Sequence, residues 1–370
     1  MIIITTICLF VILFYAAVIG YYVYAWEKEP DFKCLDEAEC GNFVSIIIPV
    51  KNEPENIIVC LNSIASQDYN HSKYEVIIVD DNSDDNSYIN EIRNINNNLQ
   101  IKYIQLADLN LKGKKSAINV AVNQSKGNLI ITTDSDCTYS SKWLSTLVCF
   151  YNRYKPKFIA APVIAKGNSS FLSYFQSIEM SGLMLITGAS FFSKRPIMCS
   201  GANIMYDKQV FIELNPYCDN ISIPSGDDYF LMQSVLNAYP NDLMFVKSPE
   251  VIVITNSVSS GNSFIKQRMR WVSKNYNNIY SLSFLIGLIV FLTNFQILTL
   301  SFASASFNHS IISLFLFTFI VKIFIDYKLL KTSSKYFNIQ CHSFLKLSLF
   351  NIFYVVMTAI VSIFVKVKWR

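Results

Sequence analysis

Four long apolar runs constrain this chain more than any other feature, because each needs a non-aqueous neighbour. Met1 to Trp26 contains no Asp, Glu, Lys or Arg, and about 20 apolar residues are enough for a helix to cross a bilayer. Three more runs lie toward the C-terminus: "YSLSFLIGLIVFLTNFQILTLSFAS", "SIISLFLFTFIVKIFI" and "LSLFNIFYVVMTAIVSIFV". A cleaved leader would want a basic stretch ahead of its apolar core. Here no Lys or Arg precedes the first run, which continues through the aromatic belt "YYVYAW". We expect a retained helix over residues 1–26 and a membrane domain of about three helices over 280–368. Lys322 and Asp326 are expected to lie at a span end and snorkel.

Composition agrees. Hydrophobic residues make up 52% of the chain and charged ones 16%, against about 25% charged in soluble domains. The deficit implies lipid-facing surface. Lys plus Arg is 31 and Asp plus Glu is 27, a net charge of +4. With no basic stripe interleaved with aromatics, nucleic acid is excluded as a partner.

The middle reads differently. "FVSIIIPV", "YEVIIVD", "IKYIQL", "NLIITTD" and "KFIAAPV" are short β-rich runs. Helical stretches such as "NIIVCLNSIASQ" and "KKSAINVAVNQS" separate them. The alternation predicts an α/β domain over 43–276 with a mostly parallel, doubly wound sheet. Nine cysteines are scattered without a C-x-x-C pair, and there are three histidines. That excludes a zinc cage and suggests small core cysteines in a reducing compartment; Cys34 and Cys40 form the one pair close in sequence. His71 is expected at the surface.

Loop charges predict orientation. Lys266, Arg268, Arg270 and Lys274 precede the second run, "SFASASFNHS" after it has none, and Lys328, Lys331, Lys335 and Lys346 follow the third. The α/β domain is therefore expected on the cytosolic side of the cell (inner) membrane, with Lys51 and Lys274 inside and Asn308 outside. The basic tail "KVKWR" opposes four full crossings.

Carboxylates collect where strands end. "YEVIIVDDNS" ends in Asp80 and Asp81, and "NLIITTDSD" in Asp134 and Asp136. In doubly wound sheets, ligands bind beyond the carboxyl ends of strands. Two acids at i, i+2 there can share a hard divalent cation, which also takes substrate phosphates. Taken alone, D-S-D reads equally well as an Asx-rich turn. Asp227 and Asp228 read as a general-base site or as the charged first turn of a helix, and both can hold at once. In "QRMRW", Gln267, Arg270 and Trp271 share one helix face. Arg270 suits a diphosphate and Trp271 a sugar face or a bilayer interface; a basic juxtamembrane helix is the alternative.

Six elements set in order around D-x-D change the balance: "PVKNE", "DDNS", "GKKSAIN", "CSGANIMY", "SGDDYFL" and "QRMRW". Over about residues 43–276 the set resembles family 2 glycosyltransferases of the GT-A fold. It looks most like the membrane-bound Q-x-x-R-W branch, which includes cellulose, chitin and hyaluronan synthases, nodulation chitooligosaccharide synthases and ceramide glucosyltransferases. The resemblance implies that Glu53 and Asp81 contact the nucleotide, Asp81 at the uracil, with Lys114 or Lys115 nearby. Asp134 would approach the donor and Asp136 would be the firmer metal ligand. Asp228, the second acid of "GDD", would be the catalytic base; Asp227 stands where the family often has Glu.

The resulting expectation is an inverting hexosyltransferase. It would use Mg²⁺ or Mn²⁺ and move sugar from a UDP-sugar to a membrane lipid or lipid-linked glycan. The alternatives are a processive polysaccharide or oligosaccharide synthase and, from another class, a non-catalytic membrane scaffold with a GT-A domain. Gln176 and Glu179 of "FLSYFQSIEM" are weak acceptor candidates beside a stripe of packing aromatics.

Overall fold

The computed structural model describes residues 2–34, 41–85, 89, 91–92, 99–167, 169–221, 223, 225–273 and 281–364. Cys40, Lys274, the basic tail and most of "NEIRNINNNLQ" lie outside these residues, as do the boundaries at 276, 280 and 368. The chain divides into two units: residues 29–166 with 190–256, and residues 1–28, 167–189 and 257–370.

The first unit is α/β. The seven strands of its larger sheet are β1 (Val44–Val50), β2 (Tyr74–Asp80), β3 (Ile101–Gln105), β4 (Leu129–Thr132), β6 (Phe158–Ala160), β8 (Ile204–Asp207) and β9 (Leu243–Phe245). Their spatial order is β3-β2-β1-β4-β8-β6-β9. Strands β1 to β4 run parallel, as do β6 and β9, whereas β8 is antiparallel to both its neighbours. Every residue of β2 and all but one of β1 are buried. Strands covered on both faces read as near-continuous apolar runs without alternation, and residues 46–50 and 76–79 made these two plain in the sequence. The chain builds outward from β1 to β3, then returns to place β4 on the other side of β1. That reversal opens a crevice at the carboxyl ends of β1 and β4.

"KFIAAPV" is not one strand but two. Ala161 and Pro162 separate β6 from β7 (Val163–Lys166), which joins a second sheet with β5 (Cys137–Thr138) and β10 (Val253–Asn256) in the order β5-β10-β7. Four helices of this unit bear on the crevice or its walls: α2 (Pro54–Ala65), α3 (Lys114–Gln124), α4 (Trp143–Tyr154) and α7 (Asp227–Ala238). Two more, α5 (Phe171–Phe192) and α6 (Lys208–Leu214), lie between α4 and α7 in the chain, and α5 belongs mostly to the other unit.

The cysteine expectation fails at one pair: Cys34 is disulfide-bonded to Cys149 of α4. Phe32 packs on Phe150 and Tyr154, and its amide donates to the Lys247 carbonyl at 2.7 Å. These contacts lay residues 29–34 along α4 and bring two cysteines 115 residues apart within bonding reach. His71 also has a partner, the Tyr74 hydroxyl at 3.0 Å from Nδ1.

The second unit is helical. It contains α1 (Ile2–Lys28), most of α5, α8 (Gly261–Ser273), α9 (Leu282–Ala303), α10 (His309–Tyr336) and α11 (Phe344–Phe364). Helices α1, α9, α10 and α11 are long and apolar enough to cross a membrane. Val11, Ile12, Tyr15, Ile19, Tyr22, Val23 and Trp26 form the buried stripe of α1 at i, i+3/i+4 spacing. Lys322 and Asp326 do not snorkel. They sit mid-helix in α10, paired with each other and buried, and the Tyr15 hydroxyl donates to Asp326. A buried ion pair is tolerable only with its remaining hydrogen bonds filled, and Tyr15 supplies one.

Candidate active site

The carboxyl ends of β1, β2 and β4 each deliver an acid. After β1 the backbone turns through Asn52 in the left-handed region (φ 53°). Asn52 and Asp84 then hydrogen-bond each other across the turn. Glu53 follows and accepts from Asn56 of α2. After β2, the buried carboxylate of Asp81 accepts from the Gly113 amide at 2.7 Å and faces Lys51 at 3.8 Å. Gly113 has φ of +92° at the start of α3, a backbone state that glycine adopts without strain. This turn aims the next residue's side chain across the crevice.

That residue is Lys114. Its ammonium lies 2.6 Å from Asp134 and 3.2 Å from Asp227. It links the acid after β4 to the first turn of α7. Burial lowers its proton affinity, but Asp134, Asp227 and Asp228 outweigh burial and hold it well above the ordinary lysine range. Lys115 faces elsewhere. It is buried, donates to the Asn220 carbonyl at 2.6 Å and lies 4.3 Å over the Phe230 ring. Of the two lysines, it is Lys114 that bridges Asp134 and Asp227.

Asp136 accepts from Thr255 Oγ1 of β10 at 2.7 Å, so the small second sheet orients the second acid of D-x-D. Burial raises its carboxyl to about 6, with further contributions from the charges of Asp134 and Glu53. Three carboxylates crowd this corner. A divalent cation would relieve that repulsion, and the Asp134 side chain is 41% exposed on the crevice side. Among the described residues no group of three or more His, Cys, Asp or Glu forms a metal cage. By its chemistry, an all-oxygen pair suits a hard ion that completes its shell with phosphate oxygens and water.

Asp227 and Asp228 occupy the first turn of α7, where the helix dipole favours negative charge. Asp227 is buried against Lys114. Asp228 is half-buried and accepts from the amides of Tyr229 (2.8 Å) and Gly201 (3.3 Å). Gly201 belongs to "CSGANIMY". A Cβ there would meet Asp227 Oδ2 at 2.9 Å and Lys114 Nζ at 3.4 Å, so this position must stay bare. Asn203, two residues on, is fully buried. It donates to Pro162 and Val251 carbonyls and accepts from Trp143 Nε1, which ties the two sheets and α4 together.

Residues 45–214 match the profile of Glycosyl transferase family 2. They form a family 2 glycosyltransferase domain. Within it lie Glu53, Asp81, Lys114, Asp134, Asp136 and Gly201; Asp227 and Asp228 follow just beyond. The chain is 40% identical to glycosyltransferase AglE of Haloferax volcanii over 104 residues, 28% of this chain and 33% of AglE. It is 24% identical over 250 residues to a Methanococcus voltae enzyme. That protein is named as a dolichyl N-acetyl-α-D-glucosaminyl phosphate 3-β-D-2,3-diacetamido-2,3-dideoxy-β-D-glucuronosyltransferase, and the match covers 64% of this chain and 76% of it. The structure of mannosyltransferase PcManGT from Pyrobaculum calidifontis, in complex with GDP-Man and Mn²⁺, aligns with a TM-score of 0.59 and 14% identity. It covers 97% of this chain and 98% of its own. At that identity the likeness is one of fold, and the glycosyltransferase domain is GT-A-like, with a mostly parallel sheet. The match spans only a third of AglE's length.

Gln267, Arg270 and Trp271 lie in the helical unit, on α8. There the buried arginine is Arg268. It pairs with Glu179 of α5 through Nε (3.0 Å) and Nη2 (2.5 Å). Gln267 accepts from Arg268 at 2.7 Å, and the Trp271 ring lies 4.1 Å from its guanidinium carbon. Gln267 and Trp271 therefore brace Arg268, while Arg270 is half-buried. Gln176 bonds the Val258 backbone through both ends of its amide. Thr255 escaped the sequence reading, whereas Gly201 entered it only as part of "CSGANIMY" and Arg268 only as a flanking charge.

Proposed function

We propose that this chain is an inverting, metal-dependent glycosyltransferase that moves a sugar from a UDP-sugar to a membrane lipid or lipid-linked glycan. The observation that carries the reading is the Lys114 bridge, which gathers D-x-D and the Asp227–Asp228 turn at the β1–β4 switch point. Asp134 and Asp136 would hold Mg²⁺ or Mn²⁺, which when bound neutralises the donor diphosphate as charge develops on the leaving group. Glu53 and Asp81 line the nucleotide side. Asp228 is the general base: it is the more exposed of the two acids, and its carboxylate is held in place by two amides. Asp227, engaged by Lys114, holds that turn against D-x-D. Arg270 of α8 is assigned to the diphosphate.

The four apolar helices support a membrane location, and loop charges favour a cytosolic glycosyltransferase domain. The names of the M. voltae relative and of an undecaprenyl-phosphate 4-deoxy-4-formamido-L-arabinose transferase of Proteus mirabilis support a lipid-linked acceptor. The test is donor profiling of the purified chain with UDP-sugars and GDP-mannose, with and without EDTA, followed by solvent partition of labelled product from native membranes. Asp228→Asn should keep donor binding and lose at least ~10²-fold in turnover. Full turnover in EDTA, or a water-soluble high-mass product, would overturn the reading.

A further inference from the structure

Lys115 takes no part in the site described above, although it follows Lys114 in the first turn of α3. Successive helix residues diverge by about 100°, so the two lysines leave α3 in different directions. Lys114 turns to Asp134 and Asp227. Lys115 turns to the segment that leads into α7. Its buried ammonium donates to the Asn220 carbonyl at 2.6 Å. It also lies 4.3 Å from the Phe230 ring centroid and 6.0 Å from that of Tyr217.

These three residues frame the turn that carries Asp227 and Asp228. Tyr217 is buried ahead of it, and its hydroxyl donates to the Asp227 carbonyl at 3.1 Å. Asn220 folds back on Tyr217, its amide donating to the Tyr217 carbonyl at 3.1 Å. The Asn220 carbonyl also accepts from the Ile223 amide at 3.0 Å. Phe230 lies beyond the acids, its amide donating to the Gly226 carbonyl at 2.8 Å. One ammonium thus ties the chain on both sides of the two acids to α3. An apolar side chain of equal length would fill the same aromatic surroundings without the cost of desolvating a charge. What the cation adds is a strong, directed bond to a backbone oxygen and attraction to a ring face.

We propose that Lys115 is a positioning residue for the general base: it fixes the backbone around the Asp227–Asp228 turn, while Lys114 fixes the Asp227 side chain against D-x-D. The inference rests on the assignment of Asp228 as the base. It gives Lys115 a part in proton transfer in place of the donor contact that the sequence resemblance implies. A base must lie within hydrogen-bond reach of the acceptor hydroxyl, and a turn that has lost its anchor spends less time there. The donor corner has anchors of its own: Asp81 is held by Gly113 and Asp136 by Thr255. It therefore stays in place when Lys115 is lost.

The test uses the purified full chain in detergent. UDP binding is read by calorimetry. Turnover is read as UDP release from the donor that profiling selects, with an extract of native-membrane lipids as the acceptor source. Lys115→Met keeps the stem and removes the donor to Asn220. It should lower turnover at least about tenfold and leave UDP affinity within about twofold. Tyr217→Phe removes only the hydroxyl bond to Asp227 and tests the same turn even if Lys115→Met does not fold. It should lower turnover at least about threefold, again with UDP affinity kept. Placed on Asp228→Asn, which already lacks the base, Lys115→Met should cost less than about a further twofold. Undiminished turnover in a folded Lys115→Met or in Tyr217→Phe would overturn the proposal. So would a loss of UDP affinity as large as the loss of turnover, or full multiplication of the two losses in the double variant. Wild-type turnover in Asp228→Asn would remove the base assignment and this inference with it. An inactive Asp228→Asn beside an undiminished Lys115→Met would remove the positioning role alone.

Discussion

Replacing Gly201 by alanine should cut turnover about tenfold or more without unfolding the protein. The added Cβ would lie 2.9 Å from Asp227 Oδ2, 3.4 Å from Lys114 Nζ and 3.5 Å from Asp228 Cβ. Comfortable contacts to carbon begin at about 3.5 Å, so the Asp227 carboxylate must retreat by roughly half an ångström. It has little room, being 8% exposed and held by Lys114 at 3.2 Å. Turning it away would cost about 0.5–1.5 kcal/mol in rotamer strain. Against that, Gly201 does not occupy the left-handed region, and alanine stiffens the unfolded chain by about 0.4–1 kcal/mol. The two terms nearly cancel, so stability should change by less than about 1 kcal/mol. Turnover has no such compensation. Moving Asp227 drags Lys114, and Lys114 carries Asp134. A misplacement of about 1 Å at a reacting centre can cost ~10²-fold, so half that should cost about tenfold or more. Thermal unfolding of the detergent-solubilised chain, paired with nucleotide release at saturating donor, reads both quantities. Turnover within twofold of wild type, or a loss matched by the fraction unfolded, would refute the argument.

Lys114→Gln removes the shared cation. It should lower turnover at least ~10²-fold and, by leaving the buried Asp227 without its charge partner, cost about 1–3 kcal/mol in urea unfolding. Asp136 has its folded carboxyl raised to about 6 from 3.8, so the folded state binds the extra proton. Metal-free protein should therefore lose stability as pH rises from about 4 to 6; Asp136→Asn should flatten that slope, and Mn²⁺ should oppose it. On α8 the two arginines should separate. Arg268→Ala leaves Glu179 buried without its guanidinium and should cost about 3–5 kcal/mol, whereas Arg270→Ala should act on turnover, with a smaller shift in thermal midpoint.

The parallel core of the fold was legible because burial on both faces leaves an unbroken apolar word. Residues 46–50 and 76–79 are such words. The second sheet was not. Its strands β5 and β10 have two and four residues, too short for any period to show, and β7 is fused in sequence to β6. Yet this sheet supplies Thr255, which orients Asp136. The acids could be read because a strand end is a fixed place in a doubly wound sheet. Which lysine of "GKKS" faces them could not, because that depends on the positive φ of Gly113 and on the carbonyl of Asn220, 105 residues away.

The same limit decides the charges of the helical unit. Arg268 and Arg270 are two positions apart, about 200° around a helix of 3.6 residues per turn, so one must turn inward when the other turns out. Nothing in "QRMRW" ranks them, since either guanidinium costs several kcal/mol to bury without a partner. The choice is made by Glu179, 89 residues earlier in the chain, whose carboxylate stands where α8 packs. Lys322 follows the same logic. A lysine in an apolar run reads as a snorkelling group because water at the bilayer surface is the only partner visible in the sequence. Asp326 one turn on and Tyr15 from α1, 311 residues from Asp326, offer a closer one. The side chain therefore stays inside α10, where a sequence pattern alone would have sent it out.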